Sequence, residues 1–597
     1  MIKQKSPYSS EKILIFGLWE KLSNKRKFHV FCMFLMTILS GFAEILNLSA
    51  VVPFLLLLTD TDKLSNVPFL INFVSYLGIE SNNDLIVLLT LLFAFTALLT
   101  GLVQILNLWL STRLTALIGN DLSKQAYRIT LLKPYIMHIE GNSSAILHSI
   151  ANNIPATIKI IDRTLTIINS TFVAFSLLIG LLIFNSKVTV LVTSILLVIY
   201  FAFAYFSKLR LRHNSMIGNQ NQKKQIKIIQ ESLGSIRDII IFNCKKIYLN
   251  KYNNLDISVR KLYGENLFLA IAPRYGIESF ALFFLITSSL LLRNQDGFQE
   301  GTLVILGVFA LAAQRLLPNL QKIYSSLSTI RANSNQAANI LEILNQRIPK
   351  DNFINSRNTL DFEKKIKLNN IFFKYTSSGE NIIKGISFEL YKGEKIGIIG
   401  KTGSGKTTLI DIFLGLIKPY KGKIIVDGID IHDPNNPETL IKWQNLLSYV
   451  PQDIYLNDNS FLENIAYGVP LELINFKEVV RCAKNASIHE FIKSTPNGYE
   501  TSVGERGIKL SGGQLQRIGI ARALYKKSKI IIFDEATSAL DKNTETKVIE
   551  SIRSLNKDLT TIMIAHRLNS LVNCDRIIDI DSGKINRILT GRDLIKM

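Results

Sequence analysis

Apolar and polar positions divide this chain into two halves with different rhythms. Up to about residue 330 the apolar residues gather in six long runs, at about 28–58, 85–110, 165–184, 188–206, 267–292 and 303–317. A hydrocarbon core roughly 30 Å thick takes about 20 helical residues, so each run predicts a membrane-crossing helix, the last by extending toward Tyr324. The third and fourth are separated only by Asn185-Ser186-Lys187, which predicts a tight helical hairpin. Beyond about Asn345 the texture changes. Segment 346–358 is polar, and after it short β-branched runs alternate with turn signals. Runs 395–399, 423–426, 530–533 and 561–565 read as strands, with helices after Gly405 and Gly513. That alternation predicts an α/β domain with a largely parallel sheet, and neither half shows an internal repeat.

Charge fixes the expected orientation. Residues 1–27 carry Lys3, Lys5, Lys12, Lys21, Lys25, Arg26 and Lys27, whereas the loop at 59–84 sets Asp60, Asp62, Glu80 and Asp84 against Lys63 alone. The positive-inside bias therefore places the N-terminus in the cytoplasm. Crossing at each run then puts the long basic intervals 111–164 and 207–266 in the cytoplasm as well. The formal net charge of +22 is explained by these flanks, and nucleic acid is not needed to account for it. Run 28–58 is too long for a removed signal and lacks a small-residue cleavage site, so it is expected to be a retained span. Cys32, Cys244, Cys482 and Cys574 are scattered without a CxxC pair, which points to neither disulfides nor zinc.

Three motifs carry chemistry. Gly400-Lys401-Thr402-Gly403-Ser404-Gly405-Lys406-Thr407 follows a strand and opens a helix at Thr407-Thr408. In such a loop, backbone N–H groups close around phosphate oxygens and the positive helix end adds attraction. Lys406 then reaches the outer phosphates, and the Thr407 hydroxyl is suited to Mg²⁺. The strand Ile530-Ile531-Ile532-Phe533 delivers Asp534 to the Mg²⁺ side of the phosphates and Glu535 as general base for the attacking water. A further strand leads to His566, whose imidazole suits a γ-phosphate or the water. Between loop and acidic strand lies Leu510-Ser511-Gly512-Gly513-Gln514, which narrows the reading to one ATPase superfamily.

On these residues the chain resembles the ATP-binding cassette (ABC) transporters of exporter type. The implied architecture is a six-helix, all-α transmembrane domain over 1–335 and a linker over 336–359. An α/β P-loop NTPase domain with helical and antiparallel β subdomains then fills 360–597. The resemblance implies that Tyr375 stacks on adenine and that Gln452, in Val450-Pro451-Gln452-Asp453, touches Mg²⁺ and the water. It implies that Ser511 and Gly513 face the γ-phosphate bound by a second subunit, that Asp541 crosses the subunit boundary, and that His566 is the switch histidine. Gly504-Glu505-Arg506 resembles a short exporter element that contacts cytoplasmic loops. One membrane domain and one ATPase domain make half a transporter, so a homodimer with two competent sites in an inner (plasma) membrane is expected, with ATP and Mg²⁺ as cofactors. Six spans exclude a DNA-repair or translation ATPase.

Charges inside spans are costly and read as functional. Glu44 lies in the first span, Arg274 and Glu278 in the fifth, and Arg315 in the sixth, three residues before Pro318. Arg274 and Glu278, four apart, suit an intrahelical ion pair as well as a ligand site. Arg315 has no acidic neighbour at helical spacing and is expected to face a watery cavity. Arginines in a cavity suit an anionic lipid headgroup such as a phosphate or pyrophosphate. Gly41-Phe42-Ala43-Glu44, Lys133-Pro134-Tyr135, Pro273-Arg274-Tyr275 and Arg315-Leu316-Leu317-Pro318 resemble the bacterial subgroup that includes lipid-linked oligosaccharide flippases. That resemblance implies a lipid-linked glycan or other glycolipid as cargo. Segment 67–77 suits a short external helix or an ordinary loop. Alternatives are a multidrug or lipid A-like exporter and, in another class, an ATP-gated channel or a regulator without cargo.

Overall fold

The apolar runs become long helices. In the computed structural model, residues 11–59, 82–140, 143–184, 186–293, 301–346, 358–376, 379–536, 544–548, 550, 558–565 and 571–594 are described. Contacts divide the chain into two units, Met1–Lys133 with His138–Pro349, and Pro134–Met137 with Lys350–Met597. Segment 67–77, Asp541 and His566 lie outside the described residues.

The first unit is all helical. A short α1 (Glu11–Glu20) precedes α2 (Asn24–Thr59) and α3 (Asn82–Leu131). Short α4 (Tyr135–Glu140) and α5 (Ser143–His148) lead through a π-helical turn, Ser149–Asn153, into α6 (Ile154–Phe184). After one residue α7 (Ser186–Gly234) begins, followed by α8 (Ile236–Ile241), α9 (Lys245–Arg293) and α10 (Gly301–Leu344). Each of the six expected spans lies within one of the long helices α2, α3, α6, α7, α9 and α10. At 50 residues α3 is about 75 Å long, far more than a bilayer needs, so its polar end projects beyond the apolar stretch. Among the described residues, three stretches are long and apolar enough to cross a membrane: Asn24–Val51, Val87–Leu131 and Ile146–Ile183. Along α3, Leu91, Phe95, Leu98, Leu102 and Ile105 are exposed at helical spacing, an apolar stripe that lipid solvates and water does not. α10 runs on to Leu344, so nine residues placed in the linker are helical. Nothing local stops it, since no glycine or proline follows Pro318 before that point.

The second unit contains two sheets. β1 (Lys365–Phe373), β2 (Ile383–Tyr391), β4 (Lys421–Val426) and β5 (Ile429–Asp430) form an antiparallel sheet of order β2-β1-β4-β5. β3 (Lys395–Ile399), β6 (Leu447–Val450), β7 (Ile530–Asp534), β8 (Thr560–Ile564), β9 (Arg576–Asp581) and β10 (Lys584–Leu589) form the other, ordered β10-β9-β3-β8-β7-β6. Its pairs are parallel except the edge pair β9–β10. The parallel strands are buried on both faces, which their near-continuous isoleucine runs require. Helix α11 (Lys406–Phe413) follows β3, and its end is anchored by Trp443 Nε1 donating to the Phe413 carbonyl at 2.8 Å. A separate apolar core gathers around Ile465, Val479, Ile492 and Ile518. In it lie α13 (Phe461–Ile465), α14 (Phe476–Asn485), α15 (His489–Ser494) and α16 (Gly512–Tyr525), while α12 (Glu438–Leu446) leads into β6 on the sheet side. Segment Pro134–Met137 belongs to this unit, where Ile136 packs against the sheet core.

Candidate nucleotide site

Strand β3 ends at Ile399, and the chain turns sharply into the loop 400–405. Gly400 has φ 153°, Gly403 φ 80° and Gly405 φ 101°, conformations that side chains resist. At Gly400 space decides as well: a Cβ there would lie 2.2 Å from the Ile580 carbonyl oxygen and 2.7 Å from Ser404 Oγ. The loop is closed by Ser404 N–H donating to the Lys401 carbonyl at 3.2 Å and tied to the β9–β10 turn by Gly583 N–H donating to the Ser404 carbonyl at 3.1 Å. Lys406 folds back, its Nζ donating to the Gly400 carbonyl at 2.7 Å and the Lys401 carbonyl at 3.0 Å. These bonds hold the ammonium over the loop mouth, where an anion's oxygens would replace the carbonyls. Ser404 Oγ is buried without a hydrogen-bond partner, and an orphaned hydroxyl in a glycine cradle fits a phosphate oxygen. Lys401, Thr402 and Thr407 are exposed, while Thr408 is buried and shares a 3.3 Å hydrogen bond with Tyr375 Oη. The Tyr375 ring sits edge-on to Phe373 at 5.0 Å, which fixes its plane beside the loop.

The acidic residues arrive on β7. Asp534, at the strand end, is buried and accepts from Tyr449 Oη at 3.0 Å. Tyr449 reaches it because β6 pairs in parallel with β7, setting Tyr449 opposite Ile532, so Tyr449 and Asp534 share one face of the sheet. Burial pushes the Asp534 carboxyl upward against the Tyr449 hydrogen bond, with the Glu535 charge adding and the Lys406 charge opposing. Asp411, on α11, is pushed up to about 6 by burial and by the Asp534 charge. A divalent cation would relieve this crowding of carboxylates, so the donor set fits Mg²⁺.

Glu535 leaves the strand with φ 51°, a left-handed conformation unusual for a glutamate. Its N–H donates to the Ile564 carbonyl at 3.0 Å, and its carbonyl accepts from Gln516 Nε2 at 3.4 Å. Gln452 Nε2 donates to Glu535 Oε2 at 2.9 Å. The expected base and the expected water-contacting glutamine are thus neighbours.

The pentapeptide caps α16. Ser511 Oγ accepts from Gln514 N–H at 3.3 Å while Ser511 N–H donates to Gln514 Oε1 at 2.8 Å, a reciprocal capping box. Ser511 and Gly512 are exposed and Gly513 half-buried, leaving the positive end of a 14-residue helix open. In Gly504-Glu505-Arg506 the glycine is buried, Glu505 and Arg506 are exposed, and Arg506 has φ 55°. Motif reading passed over Tyr449, Gln516 and Asp411; strand register alone could have flagged Tyr449.

In the membrane unit, Arg274 Nε pairs with Glu278 on its own helix at 2.7 Å. Arg315 has no acidic neighbour at helical spacing, as expected, but it meets one from another helix. Its Nη1 lies 3.3 Å from Glu44 Oε1, a carboxylate on α2 that spacing along α10 could not reveal.

Residues 383–538 match the family model described as ABC transporter. A Bacillus subtilis protein provisionally named for multidrug export as an ATP-binding/permease protein, YgaD, is 40% identical over 230 residues, 38% of this chain and 39% of that protein. The chain thus aligns with about two fifths of that relative's length. An ATP-dependent lipid A-core flippase of Cupriavidus metallidurans is 26% identical over 501 residues, covering 82% of each chain. The solved structure of a bacterial Atm1-family ABC exporter with ATP bound superposes with a TM-score of 0.77 at 23% identity, covering 96% of this chain and 97% of that one, a likeness of fold.

Proposed function

We propose that this chain is an exporter of the ATP-binding cassette type, a half-transporter with fused membrane and nucleotide-binding domains, and that it uses ATP hydrolysis to flip or export a lipid-linked or glycolipid cargo. The observation that carries the reading is the convergence of loop 400–405, Asp534, Glu535 and Gln452 at adjoining strand ends in a chain whose other unit exposes apolar helix faces.

Loop N–H groups, Ser404 and Lys406 bind the phosphates, and Tyr375 stacks on the base. Thr407, Asp534 and Gln452 are the residues that hold Mg²⁺, which when bound neutralises phosphate charge. Glu535 accepts the proton of the attacking water, and Gln452 keeps that carboxylate oriented. Two copies complete two sites, with Ser511, Gly512, Gly513, Gln514 and Asp541 of one copy closing over the ATP held by the other, and His566 near the γ-phosphate. Clamping and release of the paired domains then bias the helices between two arrangements. The N-terminus and the nucleotide-binding domain lie in the cytoplasm, as the flanking lysines indicate.

Arg315, and less directly Arg274, suit the anionic headgroup. Arg274 is already paired within its own helix, whereas Arg315 is shared between helices. The name of the Cupriavidus relative supports a lipid cargo, and that of the Bacillus relative supports a drug as the second reading. Reconstitution into liposomes with fluorescent lipid-linked glycans, glycolipids and apolar drugs decides between them. ATP-dependent movement of the lipids is expected. Movement of drugs alone supports the second reading, and hydrolysis without movement of anything overturns both.

A further inference from the structure

Three helices of the membrane unit meet at one carboxylate. Glu44 on α2 has a side chain only 2% exposed. Its Oε1 accepts from Gln104 Nε2 on α3 and from Arg315 Nη1 on α10, the latter at 3.3 Å. A buried carboxylate without partners is strongly disfavoured, so these side chains hold together as a set. The set is lopsided. Glu44 is sealed in, but 46% of the Arg315 side chain remains open. A guanidinium has five N–H donors, and the contact with Glu44 comes from one nitrogen, which leaves donors of a half-open cation for another anion. Arg274 offers a contrast: it and Glu278 are both substantially exposed and sit on one helix, so that pair links nothing across the bundle.

We propose that Glu44 is an internal counter-ion that sets how tightly Arg315 holds the phosphate or pyrophosphate of the cargo, and so how readily the cargo leaves. The inference rests on the reading of Arg315 as a cargo contact. An incoming anion and the Glu44 carboxylate compete for one cation, and the buried charge repels the newcomer. Binding stays weak enough to reverse. Because the three groups come from three helices, any rearrangement that lengthens the Glu44–Arg315 contact strengthens the hold on the anion, and one that shortens it expels the anion. Affinity thereby changes with helix arrangement without a separate gate. Gln104 belongs to the same balance: its donation stabilises the carboxylate and lessens that group's claim on Arg315.

The test uses the full-length protein, with farnesyl pyrophosphate, uncharged farnesol and inorganic pyrophosphate as probes. Equilibrium binding and probe-stimulated ATP hydrolysis are both measured. Glu44→Gln keeps the shape and removes the charge. It is expected to lower the Kd for farnesyl pyrophosphate by at least about fivefold, the low end for coupling between neighbouring groups, and to lower the maximal stimulated rate. Farnesol binding should not move. A parallel gain for inorganic pyrophosphate identifies the anion as the recognised part, and a gain confined to the farnesyl form identifies a lipid headgroup. Gln104→Leu, which leaves the carboxylate more dependent on Arg315, should move the Kd the other way and serves if Glu44→Gln fails to fold. If Arg315→Ala loses binding but neither variant shifts the Kd, the counter-ion proposal is overturned and the cargo reading stands. If Arg315→Ala binds farnesyl pyrophosphate as the wild type does, the cargo reading itself is wrong.

Discussion

Gln452 Nε2 donates to Glu535 Oε2 at 2.9 Å, linking residues 83 apart in sequence at the edge of the nucleotide site. A general base must present a free lone pair toward the water, and a neighbouring amide that occupies one carboxylate oxygen aims the other. Glu535→Gln is expected to lower ATP turnover by about 10²-fold or more, the contribution typical of a positioned base, with nucleotide binding retained. Gln452→Ala should cost less, because it removes the aim of Glu535 and one of three Mg²⁺-holding groups but leaves the base in place. Phosphate release and nucleotide binding, measured side by side, check both; near-normal hydrolysis by the glutamine variant removes Glu535 as base.

The loop offers a graded test of its geometry. A methyl group on Gly400 meets the Ile580 carbonyl oxygen at 2.2 Å, whereas one on Gly403 meets nothing within 4 Å and suffers only from φ 80°. Gly403→Ala should therefore cost about 1 kcal/mol of loop strain, while Gly400→Ala should abolish nucleotide binding. The shift in melting temperature on adding ATP reads out both. Equal behaviour of the two variants contradicts the crowding at Gly400.

Tyr449→Phe removes the 3.0 Å hydrogen bond to Asp534 without changing the ring. The carboxylate loses an orienting donor, so the variant should need several times more Mg²⁺ for half-maximal hydrolysis at saturating ATP, as expected for an outer partner of a metal-holding group. Binding of Mn²⁺ followed by its paramagnetic signal provides a readout independent of turnover. An unchanged metal requirement assigns Tyr449 to packing alone.

Asp411 supplies a pH test in nucleotide-free, Mg²⁺-free protein. Its carboxyl is pushed up from 3.8 to about 6, so the folded state takes up a proton that the unfolded chain does not hold between those values. Its stabilising contribution is present in full below pH 3.8 and is lost as pH rises through 6. Asp411→Asn should raise the melting temperature at pH 7.5, with the gain shrinking toward pH 4.5. A gain independent of pH contradicts the assignment.

Strands and loops that carry motifs were legible because their chemistry is local. Run 395–399 is the strand Lys395–Ile399, and a helix does open at Lys406, since glycines and β-branched residues act within a few positions. What sequence could not supply is contact made by pairing. Tyr449 meets Asp534 only through the β6–β7 register, and Arg315 meets Glu44 across 271 residues and two different helices. Spacing along one helix had left Arg315 without a carboxylate. The end of α10 was missed for another reason. Residues 336–344, assigned to the linker together with the polar segment 346–358, include Ala337, Ile340 and Leu341, which recur with Ile330 at helical intervals and are buried.

The capping box at Ser511 bears on how variants of that residue are interpreted. Its oxygen uses a lone pair to receive the Gln514 N–H, and the hydroxyl hydrogen is not consumed by that bond. One atom can thus secure its own helix and offer a proton outward at the same time, without trading one duty for the other. Replacing this serine by alanine removes both together, at about 1 kcal/mol for the helix start alone. A fall in activity would then mix a loosened helix with a missing donor. Threonine preserves the oxygen in both capacities and separates the two causes.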